Sequence, residues 1–124
     1  METPFFMKKF SLGRHQIIKS KKQFELLFSE GESIKEGALI LQYLPSENLH
    51  RNLVAFSVPK RNFKRAVDRI QIKRWLRESY RLNQEEFSGD AKYLLLFIFK
   101  GRNIPDYQYV NRKIISIATR FKSL

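Results

Sequence analysis

The run YLLLFIF at residues 93–99 is the sequence feature that most constrains the fold. It is far shorter than the roughly 20 apolar residues that a membrane-spanning helix needs. An apolar run without alternation, at this length, is typical of a strand that is covered on both of its faces. The chain therefore predicts a sheet that contains this strand and has helices packed on it.

The rest of the chain supplies helices and strands around that run. Ser20 begins a capping-box pattern, Gly37 interrupts a β-favouring stretch, and Asp106 is placed to cap a final helix. The predicted elements are, in chain order, a helix over 21–30, strands over 33–44 and 52–58, a helix over 65–82, a strand over 91–100 and a helix over 107–121. This order, α-β-β(-β)-α-β-α, predicts an α/β (α+β) sandwich with a single mixed sheet.

The 124 residues form one predicted domain, because single hydrophobic cores commonly extend over about 100–200 residues. Residues 1–19 mix aromatic and basic side chains without a steady period, so we expect a flexible basic N-terminal arm followed by a folded domain at 20–124. No secretory signal or membrane span is recognisable, which indicates the cytoplasm, and Met7 is an alternative start to Met1.

Charge is the strongest indication of a partner. Lys and Arg number 24 against 12 Asp and Glu, which gives a net charge of +12. Such a domain repels itself unless it binds a polyanion, and nucleic acid, an anionic membrane and an acidic protein all qualify. Nine cations lie between residues 60 and 81 against two acids, which favours nucleic acid: Lys60, Arg61, Lys64, Arg65, Arg69, Lys73, Arg74, Arg77 and Arg81.

Five of these cations recur at every fourth position of the predicted helix, from Arg65 to Arg81. Like charges at this spacing repel one another and destabilise an isolated helix. Each step of four residues drifts about 40° around the helix, so the cations form a turning ridge rather than a straight row. Phe24 and Phe28 of the first helix have two open interpretations, packing in the core or stacking on unpaired bases.

The sequence offers little catalytic chemistry of its own. Cysteine is absent, and His15 and His50 lie in no recognisable motif. The carboxylates are scattered, and there is neither a glycine-rich phosphate loop nor a metal-ligand spacing. We therefore predict no catalytic side chain, no metal and no cofactor on the protein itself.

Residues 56–81, FSVPKRNFKRAVDRIQIKRWLRESYR, closely resemble the signature of the bacterial ribonuclease P protein component. That signature has a strand ending in Val-x-Lys-Lys/Arg, then Ala-Val/His-x-Arg-Asn-Arg-Ile-Lys-Arg-x-x-Arg-Glu. The helix with two phenylalanines four residues apart and a following glycine resembles the family's first helix. The chain departs from the signature at Ile70 and Gln71, where the family has Asn and Arg. Ile70 and Gln71 thus replace two of the three residues through which this segment of the family contacts its RNA, and Ile70 is expected to add packing instead.

The resemblance implies a ribosomal-protein-like domain with a left-handed βαβ crossover. It also implies an accessory subunit, a monomer in the holoenzyme, whose RNA partner removes the 5′ leader of precursor tRNA with Mg²⁺. By this resemblance Phe24, Phe28, Lys60 and Arg61 would hold the single-stranded leader. The RNA subunit would be bound by the basic residues of the long helix and its approach: Lys64, Arg65, Arg69, Lys73, Arg74, Arg77 and Arg81.

Other readings of the basic surface remain open. A structural RNA-binding protein of ribosomal type, without a role in processing, would carry the same charge. A protein nuclease is disfavoured by the missing catalytic residues. Binding to a membrane surface is disfavoured because the basic helix lacks a clean apolar face opposite its charges.

Overall fold

The protein structure is a computed structural model that describes residues 12–124. Its main elements are α1 Lys21–Glu30, β1 Glu32–Glu36, β2 Leu39–Pro45, β3 Leu53–Ser57, α2 Ala66–Asn83, β4 Tyr93–Phe99 and α3 Tyr107–Lys122. Two short 3₁₀ helices, Arg14–Gln16 and Gln84–Phe87, precede α1 and β4. The predicted element order is confirmed, with the interrupted stretch divided into β1 and β2.

The four strands form one mixed sheet in the order β1-β2-β4-β3. β2 is antiparallel to both of its neighbours, β1 and β4, whereas β3 runs parallel to β4 at the edge. The parallel pair is joined through α2, which makes the β-α-β unit that the resemblance implies. Its left-handed crossover stays a prediction.

The turn between β1 and β2 explains the interruption at Gly37. Gly37 has a φ of 58°, which favours glycine. A Cβ atom at this position would lie 2.6 Å from the Tyr109 hydroxyl oxygen, so α3 closes directly over the turn. The same hydroxyl accepts a hydrogen bond from the Ala38 backbone N–H at 3.0 Å.

The helix starts follow the capping chemistry that the sequence predicts. The Ser20 hydroxyl accepts a hydrogen bond from the Gln23 backbone N–H at 3.3 Å. The Asp106 carboxylate accepts one from the Tyr109 N–H at 2.8 Å. Both caps satisfy N–H groups that have no partner within their own helix.

The core has two parts, one on each face of the sheet. The larger lies under α2 and α3, where the fully buried Phe97 contacts the rings of Phe56, Tyr80 and Phe87. The smaller lies under α1, where Leu27 packs with residues such as Leu94. Because successive side chains of β4 point to opposite faces, both parts cover this strand, as its sequence predicts.

Residues 12–18 lie against the sheet. Ile17 forms a parallel bridge with Val54 of β3, and the Ile18 N–H donates to the Val54 carbonyl at 2.9 Å. Ile18 is buried because its side chain joins the smaller core. The described part of the predicted arm is therefore packed, and residues 1–11 lie outside the described residues.

Candidate nucleic-acid interface

A groove runs along the β3 edge of the sheet between α1 and α2. Its α2 section, of about 460 Å³, is lined by Ile17, Ile18, Phe24, Ala55, Phe56, Ile70, Lys73, Arg74 and Arg77. Its α1 section, of about 380 Å³, is lined by Phe24, Phe28, Ala55, Phe56, Ser57, Pro59, Leu96, Ile98 and Lys100. The two sections share Phe24, Ala55 and Phe56, so we treat them as one groove.

The floor of the groove is apolar because α1 covers only part of its sheet face. Ala55 lies on this face, and its small side chain leaves room above the strand. Phe24 is half-buried and packs against the smaller core, whereas Phe28 is 61% exposed. The core interpretation is therefore wrong for Phe28, and Leu27 takes the buried position in this helix.

Three cations of α2 line the other side of the groove. Lys73, Arg74 and Arg77 are exposed. Among residues 12–124, none of the three makes a hydrogen bond or an ion pair. Because no carboxylate lines either section of the groove, these charges are available to a polyanion.

The cations of the ridge differ in their surroundings along α2. Arg69, one step before Lys73, is partly buried, and its guanidinium donates to the carbonyls of Phe63 at 2.6 Å and Lys64 at 3.0 Å. It therefore ties the loop before α2 to the helix. This placement gives Arg69 a structural role that the sequence did not reveal.

The ends of the ridge carry acidic neighbours. The Nε atom of Arg65 lies 3.8 Å from Oδ2 of Asp68. Arg81 donates to Glu78 through Nε at 3.2 Å and through a second, shorter bond. This hydrogen bonding lowers the pKa of Glu78 and raises the pKa of Arg81. The cations that line the groove therefore have no acidic partner, whereas Arg65 and Arg81, at the two ends of the ridge, each have one.

Lys60 and Arg61 lie in the turn after β3 and are exposed. Neither lines the groove, whereas Phe24 and Phe28, which the resemblance groups with them, do. The turn nevertheless adjoins one end of the groove, because Asn62 donates from Nδ2 to the Lys100 carbonyl at 3.4 Å. Lys100 itself lines that end and supplies its cation.

Sequence reasoning missed several residues of the groove, above all Phe56, Ile98 and Lys100. Ile98 lies on the α1 face together with Leu96. Side chains two positions apart on a strand share a face, so the prediction of β4 as a strand contained a signal for Ile98. Ile70, which was expected to add packing, is 56% exposed and lines the groove rather than joining either part of the core.

The described part of the chain contains few other candidates for a site. His15 and His50 are both exposed. Within residues 12–124, no three His, Cys, Asp or Glu side chains are grouped so that they could hold a metal ion. No helix in this part is long and apolar enough to cross a membrane.

Comparison of the sequence with known families and proteins gives one consistent result. The sequence model of the family described as Ribonuclease P matches residues 12–122. The ribonuclease P protein component of Chlorobaculum tepidum is 34% identical over 106 residues, which cover 74% of this chain and 69% of that protein. The component of Natranaerobius thermophilus is 33% identical over 111 residues, 88% of this chain and 94% of that one.

Solved structures agree with this result at the level of the fold. The ribonuclease P protein of Staphylococcus aureus superposes with a TM-score of 0.75 at 17% identity, covering 86% of this chain and 95% of that chain. The ribonuclease P protein of Thermotoga maritima gives a TM-score of 0.72 at 19% identity, covering 84% and 96%. The mixed sheet with its three helices is thus shared with these proteins.

Proposed function

Because the chain belongs to the ribonuclease P protein family and is a subunit of that tRNA-processing ribonuclease, we propose that its groove holds the single-stranded 5′ leader of precursor tRNA. The observation that carries this proposal is the combination of an apolar floor with unpaired cations along one side. Unpaired bases stack on aromatic and apolar surfaces, and phosphates bind to cations. In this proposal Phe24 and Phe28, which line the groove, stack on the bases, and Lys100 and the α2 cations of the groove bind the phosphates.

We propose that the RNA subunit binds the outer surface of α2 and the segment that precedes it. The contributing side chains are those that the resemblance implies, without Arg69, whose guanidinium is bonded to the loop before α2: Lys64, Arg65, Lys73, Arg74, Arg77 and Arg81. Exposed arginines suit this role because the planar guanidinium binds phosphate through two parallel hydrogen bonds. Lys60 and Arg61, in the turn beside Lys100, would continue the basic surface towards the leader.

In this proposal the RNA subunit carries the hydrolysis, with Mg²⁺ bound through the RNA. The protein's side chains bind and orient the leader and reduce the repulsion between RNA phosphates as the complex assembles. One protein chain would act in each holoenzyme, in the cytoplasm.

Reconstitution tests the division of labour between protein and RNA. The protein alone should leave precursor tRNA intact, and addition of the ribonuclease P RNA should produce leader removal at salt and Mg²⁺ concentrations where the RNA alone is weak. Cleavage by RNA-free protein would overturn the assignment of the chemistry to the RNA.

The substitution Phe24→Ala tests the leader groove. Base–aromatic stacking contributes about 1–3 kcal/mol per base, so the holoenzyme should bind precursor tRNA roughly 5- to 150-fold more weakly. Its affinity for mature tRNA, which has no leader, should stay the same. Thermal unfolding of the free variant serves as the control, because Phe24 also packs against the smaller core. Equal losses for both RNAs would show that the ring acts only through the fold.

A further inference from the structure

Ile70 is a branched aliphatic residue exposed among cations on α2. It lines the α2 section of the groove together with Phe24, Lys73 and Arg74. Val67, one turn earlier on the same helix, is equally exposed, at 58% against 56%, but does not line the groove. The two residues therefore differ in what they face rather than in how much of them is exposed.

The surroundings of Ile70 restrict what it can contact. Single exposed aliphatic residues are common and need no explanation by themselves. The position of Ile70 is more specific, because it shares a concave surface with a half-buried aromatic ring and lies beside cations with no acidic partner. A phosphate has no apolar surface to offer it, whereas a nucleobase has two apolar faces.

We propose that Ile70 packs against the face of one unpaired leader base inside the α2 section, with Phe24 on the other side of that section. Lys73 and Arg74 then bind the phosphates that flank this nucleotide. Ile70 is thus a specificity-determining residue for an unpaired leader nucleotide. The inference rests on the proposed function, because it takes the leader as the occupant of the groove.

This arrangement has consequences for which leaders bind well. An aliphatic contact reads no hydrogen-bonding edge, so all four bases should be accepted, and purines, with the larger face, should bind more tightly than pyrimidines. A leader paired to a complementary oligonucleotide should lose the contact, because its bases are stacked inside the duplex.

The experiment compares Ile70→Asn with Val67→Asn in the holoenzyme reconstituted with the RNA subunit. Ile70→Asn should weaken binding of precursor tRNA about tenfold and leave mature tRNA unchanged, because the lost contact is apolar burial on the leader alone. Val67→Asn should change both affinities by less than about twofold. Both substitutions are at exposed positions, so thermal unfolding of the free protein should stay unchanged.

An abasic nucleotide moved through the leader identifies the contact itself. At the leader position that meets Ile70, removal of the base should weaken RNA binding by the parent holoenzyme more than binding by the Ile70→Asn holoenzyme. The variant has already lost this contact, so the second change has less to remove. Additive losses at every leader position would overturn the inference.

The remaining outcomes separate the inference from the function on which it rests. If Phe24→Ala discriminates leader from mature tRNA and Ile70→Asn does not, the leader groove stands and the role of Ile70 is overturned. If Ile70→Asn instead weakens assembly with the RNA subunit, the groove section at Ile70 is occupied by that RNA, and the inference fails. If neither variant discriminates, the leader groove itself is overturned.

Discussion

The two faces of the sheet differ in how completely they are covered. Under α2 and α3, Phe97 is fully buried among other aromatic rings. Under α1, Phe24 is half-buried and Phe28 extends into solvent. Helix length accounts for part of the difference, because α1 has 10 residues whereas α2 and α3 have 18 and 16. One face therefore stabilises the fold, and the incomplete cover of the other leaves the groove open for a ligand.

The largest expected difference between the two faces appears when one phenylalanine on each face is truncated. Phe97→Ala should lower the free energy of unfolding by about 3–5 kcal/mol, because it leaves a cavity in the larger core. Phe28→Ala should change it by less than about 0.5 kcal/mol, because the ring is largely in water already. Urea unfolding of the two free variants measures both values.

Phe28→Ala should act on RNA instead of on stability. In the holoenzyme it should weaken the binding of precursor tRNA more than the binding of mature tRNA, as is expected for Phe24→Ala. If Phe28→Ala destabilised the protein as much as Phe97→Ala, the two faces would not differ in the way described, and Phe28 would belong to the core.

The next effect concerns the cations that border the open face. Replacing Lys73, Arg74 and Arg77 together by Gln should make the dependence of log affinity for RNA on log salt shallower by about 2–3, because each phosphate contact contributes about 0.7–0.9 to that slope. The thermal midpoint of the free variant should not fall, because none of the three side chains has a partner within residues 12–124. An unchanged slope would remove these residues from the RNA interface.

Arg69→Gln is the matched control, on the same ridge but bonded to the protein itself. It should lower stability by about 1–2 kcal/mol, because the two carbonyls of the preceding loop lose a charged donor at a partly exposed site. Its salt dependence should match that of the parent. If Arg69→Gln flattened the slope by a full phosphate contact, this residue would also bind RNA, as the resemblance implies.

Much of the closed face could be predicted from sequence, because its signals are local. The apolar run of β4 predicted a strand covered on both sides. The buried residues of α3 from Val110 to Phe121 recur every three or four positions, which is a local signal of the same kind. The caps at Ser20 and Asp106 are likewise set by a few neighbouring residues.

The open face was less predictable, because it depends on where helices cross the sheet. Leu27 and Phe28 are adjacent in sequence and lie on the same apolar stripe, and only the position of α1 over β4 decides which is buried. The same applies to Ile70, whose periodicity fits either a core or a groove. Lys100 follows a strand end, where a lysine has no distinctive pattern.

The smallest expected effect lies where the ridge leaves the groove, at Arg81 and Glu78. Hydrogen bonding to Arg81 lowers the pKa of Glu78 in the folded state. The pair therefore stabilises the fold above the unfolded pKa of glutamate, about 4.3, and this contribution is lost as the pH falls through the lower folded pKa. Because the two side chains are 33% and 43% exposed, solvent screening limits the contribution to about 1 kcal/mol or less.

Glu78→Gln should accordingly lower the thermal midpoint slightly at pH 7 and have a diminishing effect on acidification. The control is Glu47→Gln, which makes the same change of charge at an exposed turn residue without an ion pair among residues 12–124. Thermal scans between pH 3 and pH 8 measure both variants against the parent. If the thermal midpoint of Glu78→Gln were still below that of the parent at pH 3, the effect would be due to packing and not to charge. Loss of the deficit on acidification would confirm that this end of the ridge stabilises the fold by charge, whereas the middle of the ridge leaves its charges unpaired beside the groove.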